Sequence, residues 1–378
     1  MKWIHLSDLH IGKRVNEISM IEDQKYILNQ ILQIIEEQKV EGVLIAGDIY
    51  DKQVPSAEAV QVLDNFLNQL CKHNLSIFII SGNHDSMERL SFASNLLKKS
   101  NVYVSQIFSG EISPIIQKDK YGEIAIYLLP FVKPAVVRPF YEEEIHSYND
   151  AIEVIIKHLN IDKTRRNILV AHQFVTGASL CDSEEISVGG MDNVDGNLFA
   201  DFDYVALGHI HGPQYIGKET IRYSGTPLKY SFSEEKHKKS ATIINMREKG
   251  NIEILEVPFI PKRDMRKIKG SYEFVTAKQN YENTNVEDYI HITLTDEEDI
   301  IDVMAKLRSI YPNIMSVSYD NKRTKNIQLF ENTAKVKEKT PIELFEELYE
   351  IQNNQMMNVE QMEFIKKLME DIWENRED

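Results

Sequence analysis

Apolar positions in the first hundred residues follow two alternating periods. Residues 2–7 form a short apolar run of strand length, and residues 21–35 carry Tyr26, Ile27, Ile31, Ile34 and Ile35 at helical spacing. The continuous apolar run at 42–46 predicts a buried strand. Ser56, following Pro55, opens a helix predicted over 56–71, and 76–81 returns to strand. Further strands are expected at 102–104, 124–129, 167–171 and 203–207, with a break at Pro130 and Pro134 and a helix over 149–159. Beyond 207 the pattern shortens to strands punctuated by Gly217, Gly225 and Gly250. This order predicts an α/β sandwich, partly parallel in its first half and more antiparallel after it.

A basic stretch with two prolines over 258–270 reads as a linker, which puts the first domain at 1–260. Strand, helix and strand at 289–295, 300–311 and 314–319 predict a small α+β domain over 270–330. Residues 331–339 have few apolar positions and read as a tether. The tail, 340–378, splits into two amphipathic helices: Leu344, Phe345, Leu348 and Ile351 mark one face, and Val359, Met362, Ile365, Met369, Ile372 and Trp373 the other.

Composition narrows the class. With 42% hydrophobic and 27% charged residues in 378, the chain can bury a sizeable core and is not disordered. No apolar run approaches the ~18 residues of a membrane span, and Asp8 interrupts any export-type apolar core. Two cysteines, Cys71 and Cys181, make neither a disulfide scaffold nor a CxxC pair. A cytoplasmic chain without membrane contact is expected. The net charge of −16 read bluntly disfavours nucleic acid, yet residues 341–378 alone contribute eleven acidic and three basic side chains. Basic runs sit elsewhere, at Lys262, Arg263, Arg266, Lys267 and Lys269 and at Lys322, Arg323 and Lys325, so charge is segregated and a nucleic-acid partner stays open.

The chemistry concentrates in five blocks. They are Asp8-Leu9-His10, Gly47-Asp48, Gly82-Asn83-His84-Asp85, His172 and Gly208-His209-Ile210-His211, each following an apolar strand-like run. Asp8 and Asp48 are 40 residues apart and Asp48 and Asn83 are 35, spacings that suit one crossover each and bring strand ends to one rim. On extended backbone, residues two apart share a side, which would pair Asp8 with His10 and His209 with His211. Carboxylate, imidazole and amide donors suit a pair of divalent cations and differ from thiolate zinc sites. His5 has the opposite parity to Asp8 and reads as core. His73, His146, His158, His237 and His291 lie outside the blocks. The loop 179–195, with Gly189-Gly190, could shape access to the site.

With these signatures (D-x-H, GD-x-x-D, GNH-D/E, H and GH-x-H) the chain resembles the calcineurin-like metallophosphoesterase superfamily, and within it the SbcD nuclease family. Arg222-Tyr223-Ser224-Gly225-Thr226-Pro227 is similar to that family's RYCGSP-type turn. Gly47-Asp48-Ile49-Tyr50-Asp51 lacks the following Arg-Gly of the protein phosphatases. The resemblance implies a sandwich of two mixed sheets flanked by helices, with a small α+β capping domain and a C-terminal helix pair. It implies one metal on Asp8, His10, Asp48 and His211 and a second on Asp48, Asn83, His172 and His209, with manganese the expected ion. His84 matches the family's catalytic histidine, and Asp51 is given no catalytic role. The expected activity is 3′–5′ double-strand exonuclease and single-strand or hairpin endonuclease on DNA, in repair, recombination and replication. The expected partner is an SbcC-like coiled-coil ATPase held by the C-terminal helices, around a homodimer within a heterotetramer in the nucleoid. The alternative is a metallophosphoesterase for a small nucleotide or cyclic nucleotide.

Overall fold

The computed structural model describes residues 1–184, 193–322, 324, 341–353 and 355–374. The tether at 331–339, Gly189-Gly190, Arg323 and Lys325 fall outside the described residues. Two compact units are present, Met1–Met265 and Arg266–Asp378.

In the first unit two six-stranded sheets face each other. One runs Ile252–Pro258, Ser240–Met246, Lys2–Leu6, Gly42–Ala46, Ser76–Ile80, Val102–Val104, and its last four strands are parallel. The other runs Gln214–Ile216, Lys218–Tyr223, Tyr204–Gly208, Arg166–His172, Gly122–Leu129, Ile115–Asp119. Its four inner strands are parallel and both its edges antiparallel. The second half is therefore more parallel than its short strands predict, because Lys218–Tyr223 pairs parallel to Tyr204–Gly208.

Strand parity explains the core. Leu44, Ala46, Phe78 and Ile80 of the first sheet meet Ile126, Leu128, Ile168, Val170 and Ala206 of the second. Residues of opposite parity in the second sheet, such as Leu169, Ala171, Val205 and Leu207, pack with Ile152 and Ile155 of the helix Tyr148–His158. Strands buried on both faces must be apolar throughout, which is why they appear as unbroken runs. His5 shares the parity of Trp3 and lies between the sheets, its ring nitrogens 3.0 Å from Tyr204 Oη and 3.2 Å from Leu207 O. Burial lowers its pKa to about 3, so it stays neutral.

Flanking helices follow their local signals. Ile21–Gln38 buries Ile27, Ile31, Ile34 and Ile35 and ends at Lys39 in the left-handed conformation. Ala57–Lys72 starts where Ser56 accepts from Ala59 N–H, and Ser147 with Asp150 forms a capping box for Tyr148–His158. Among the described residues no helix is long and apolar enough to cross a membrane.

The second unit is built on a three-stranded sheet, Met265–Gly270, Tyr289–Leu294 and Ile314–Tyr319, the last two parallel. The intervening helix is only Val303–Arg308, shorter than the apolar spacing predicts, because Asp302 stands left-handed before it. Val275, Ile290, Ile292, Leu294, Leu307, Tyr311 and Ile314 form its core. Two helices, Pro341–Asn353 and Val359–Glu374, follow, with Leu348, Val359, Phe364 and Leu368 exposed.

The basic stretch read as a linker is largely structured. Met265–Gly270 is a strand, and Arg263 donates to buried Asp23 (2.7 Å) while Arg266 pairs with Asp288 (2.7 Å) and Lys269 with Asp320. Those three cations are committed within the fold and do not form a free phosphate-facing row.

Phe78 is fully buried, edge-on to Trp3 at 5.7 Å between ring centroids and stacked on Tyr103 at 5.0 Å. Phe78→Ala should lower unfolding free energy by about 3–5 kcal/mol, read as a reduced urea midpoint.

Candidate metal centre

Five parallel strands deliver the five blocks to one rim. Lys2–Leu6, Gly42–Ala46 and Ser76–Ile80 lead into Asp8 and His10, Asp48, and Asn83 and His84; Arg166–His172 ends on His172, and Tyr204–Gly208 leads into His209 and His211. Past the strand ends the backbone stays zipped: Asp8 N–H donates to Gly47 O (3.0 Å), His10 N–H to Asp48 O (2.9 Å) and Ile11 N–H to Ile49 O (2.9 Å).

Backbone geometry at these positions is unusual. Asp8, His10 and Asp48 have φ of 51°, 44° and 49°, and His209 has φ of 101°. Such conformations cost non-glycine residues of order 1–3 kcal/mol each and persist only where surrounding bonds over-determine them. Asp8 and His10 thus reach one site through tight left-handed turns and not through the alternation of an extended strand. Gly82 is required by proximity, since a Cβ there would collide with the Asp48 carboxylate.

All eight residues read from the sequence converge. Asp48 is 2% exposed, and its Oδ2 is faced by His172 Nε2 at 3.4 Å, His10 Nε2 at 3.7 Å and His84 Nε2 at 4.0 Å. Its Oδ1 accepts from His84 N–H at 2.9 Å. Asn83 Oδ1 lies 2.9 Å from His172 Nε2 and 3.0 Å from His209 Nδ1. Asp8 Oδ1 accepts from His209 N–H at 3.0 Å, and His10 Nε2 meets His211 Nε2 at 3.2 Å. Among the described residues, groupings of metal-ligating type at this rim are Asp8–His10–His211, Asp8–Asp48–His172 and His10–Asp48–His84, with Cys181–His211–Glu234 beside them. None includes His73, His146, His158, His237 or His291.

Proton accounting shows what the pocket wants. His172 Nδ1 is 2.9 Å from the Ala46 carbonyl, which can only accept, so Nδ1 carries the proton. A neutral His172 then turns the Nε2 lone pair toward Asp48 Oδ2, acceptor against acceptor, an arrangement that calls for positive charge between them. Burial pulls the His172 pKa down, but the Asp48 carboxylate more than offsets this and raises it to about 9. Burial would raise Asp48, yet His172 and His10 hold it well below the usual carboxylate range. Burial raises Asp8 to about 6 and lowers His209 to about 3. His172 keeps a proton against the Asp48 charge while His209 stays neutral, and a buried cluster that draws in positive charge in this way fits divalent cations, its oxygen and imidazole donors suiting manganese, iron or zinc.

Some supporting residues escape sequence reasoning. Asp85 accepts from Ile49 N–H (3.0 Å), Tyr50 N–H (3.0 Å) and Gly82 N–H (2.9 Å), pinning the Asp48 turn to the Asn83 turn. Its only signal in the sequence is its place beside His84. Gln24, on a helix, donates to His10 O (2.7 Å), and Tyr230 Oη–H donates to Leu9 O (2.7 Å). Glu234 and Lys239 are buried although every side chain from 234 to 239 is a glutamate, lysine or histidine. Lys239 Nζ donates to His211 O (2.8 Å), to Thr226 Oγ1 (2.6 Å) and to Glu234. Asp51 pairs with Lys13 at 2.8 Å, and its carbonyl O lies 3.1 Å from His84 Nδ1.

Comparison with known proteins agrees with this geometry. The family model described as calcineurin-like phosphoesterase matches residues 1–213, and one described as type 5 capsule protein repressor C-terminal domain matches 261–353. The D subunit of nuclease SbcCD from Staphylococcus epidermidis is 34% identical over 323 residues, covering 84% of this chain and 85% of its own. Its namesake in Staphylococcus saprophyticus subsp. saprophyticus is 32% identical, covering 84% of each. A solved protein of Thermus thermophilus covers 68% of this chain and 98% of its own at 12% identity and a TM-score of 0.40. On the match to the catalytic fold and the two nuclease subunits, the chain belongs to the calcineurin-like phosphoesterases and, within them, to the SbcD nuclease family.

Proposed function

We propose that the chain is a metal-dependent DNA nuclease that hydrolyses phosphodiester bonds at the rim of its first unit. The observation that carries this reading is the Asp48 carboxylate, one oxygen of which is faced by three imidazoles at 3.4–4.0 Å. Asp8, His10, Asp48 and His211 would hold one divalent cation, and Asp48, Asn83, His172 and His209 another, with manganese the expected ion. Bound cations would supply positive charge for the phosphoryl oxygens and acidify a water.

The chain's own residues supply the rest. Asp48 joins the two ligand sets, and Asp85 fixes its turn. His172 and Asn83 are oriented by the contacts described above. His84 is held by its backbone N–H on Asp48 and by Asp51 O at Nδ1, which leaves Nε2 to face the rim. From there it would stabilise charge on the phosphate or protonate the leaving oxygen. Assembly rests on other parts of the chain. Residues 1–260 would be the nuclease domain, 270–330 a capping domain, and the acidic helices of 340–378 a docking element for an SbcC-like ATPase. Exposed Leu348, Val359, Phe364 and Leu368 support that last role. The relatives' printed name, which makes each a subunit of SbcCD, supports a two-protein complex, and a nuclease homodimer within a heterotetramer in the nucleoid completes this reading.

Asp48→Ala should abolish both metal binding and hydrolysis, whereas His84→Ala should keep metal binding, read by calorimetry, and lose about 100-fold or more of hydrolysis. Loss of metal binding in His84→Ala would make His84 a ligand and overturn this division. With manganese, the purified chain should digest end-labelled duplex and hairpin DNA, and chelator should stop it. Hydrolysis of a generic phosphodiester with no cleavage of DNA in any condition, with or without the ATPase, would remove DNA as the substrate.

A further inference from the structure

We propose that Ser183 is a positioning residue for the site, relaying the buried Glu234 carboxylate to His211 and so fixing which ring nitrogen of His211 faces the metal. The inference rests on the reading of His211 as a metal ligand.

The relay follows from hydrogen-bond donors and acceptors. Glu234 is fully buried, and Lys239 is salt-bridged to its Oε2. Its Oε1 accepts from Tyr230 N–H at 3.1 Å and from the Ser183 hydroxyl at 2.7 Å. With the single hydroxyl proton directed at the carboxylate, Ser183 Oγ can only accept from its other neighbours. One of these is His211 Nδ1 at 2.7 Å, and the other is Cys181 Sγ at 3.0 Å. Nδ1 must therefore carry a ring proton, which leaves Nε2, directed at His10 Nε2 3.2 Å away, as the nitrogen open to a metal. Glu234 Oε1 is itself 3.8 Å from His211 Nδ1, too far for a direct bond, so the hydroxyl closes the gap. His172 is set the same way by the Ala46 carbonyl, and each half of the site thus has an outer acceptor that selects the tautomer.

The segment carrying Ser183 is strapped to the site at other points. Glu184 Oε1 accepts from His211 N–H at 2.8 Å, Asp182 N–H donates to Ser233 Oγ at 3.0 Å, and Ser179 N–H donates to Gln214 Oε1 at 2.8 Å. Residues 179–184, read from the sequence as part of an access loop, are a clamp on His211.

The test combines metal titration with the protonation state of the ring. Ser183→Ala should weaken binding of one manganese ion about 10- to 100-fold by calorimetry. Ser183→Thr, which keeps the hydroxyl, should restore it, and the thermal midpoint of both variants should stay near that of the unmodified chain. In the unmodified protein loaded with diamagnetic zinc, ¹⁵N shifts of His211 should show the proton on Nδ1 and the metal on Nε2. Unchanged affinity in Ser183→Ala, or a proton on Nε2 in the zinc-loaded protein, would overturn the relay. A loss that Ser183→Thr does not restore would also overturn it, since the effect would then lie in packing of the segment. If Asp48→Ala likewise leaves binding intact, the ligand reading itself fails; if only Ser183→Ala does, the relay alone fails.

Discussion

A single carboxylate, buried where two sheets meet, sets the conditions for everything around it. Asp48 is 2% exposed, and an ion in that position is tolerated only with compensating charge and hydrogen bonds. It receives both. His84 N–H bonds to one oxygen, and imidazoles from both sheets surround the other. Because His10 arrives from the first sheet and His172 from the second, the charge on Asp48 ties the two halves of the sandwich at their rim. Core packing holds the sheets together elsewhere, but here the tie is electrostatic.

That arrangement requires backbone strain, and the fold contains it locally. Three left-handed residues within two short turns would be unstable alone. Hydrogen bonds between those turns continue the ladder beyond the strands, and Asp85 accepts three N–H groups to hold the second turn against the third. The cost of strain and the benefit of a preorganised donor set thus fall on the same dozen residues, as expected of functional sites.

Much of this is legible in the sequence because the chemistry follows apolar runs. Strands covered on both faces show as unbroken apolar stretches, so the blocks at their ends can be placed on one edge before any geometry. The strand Ile115–Asp119 escapes such a reading because Gln117, Lys118 and Asp119 give an edge strand no buried face to advertise. The turns at Asp8 and His10 look extended in the sequence, since nothing in Asp-Leu-His signals a positive φ. Glu234 and Lys239 are hidden by their neighbours: a run of glutamates and lysines looks solvated, and only tertiary structure shows that this pair neutralise each other beneath His211. Arg263, Arg266 and Lys269 pose the opposite problem, a run that looks available and is committed to internal carboxylates.

Gly208 carries a mechanical consequence. A Cβ there would collide with the Ala46 carbonyl and crowd the His172 ring, so at this point the two sheets approach with only the His172 imidazole, 2.9 Å from that carbonyl, beside bare backbone. Deeper in the sandwich their spacing depends on Phe78, Trp3 and Tyr204. Any side chain at Gly208 would push on the Ala46 carbonyl and the His172 ring together, and so would move a residue of the site as it parted the sheets.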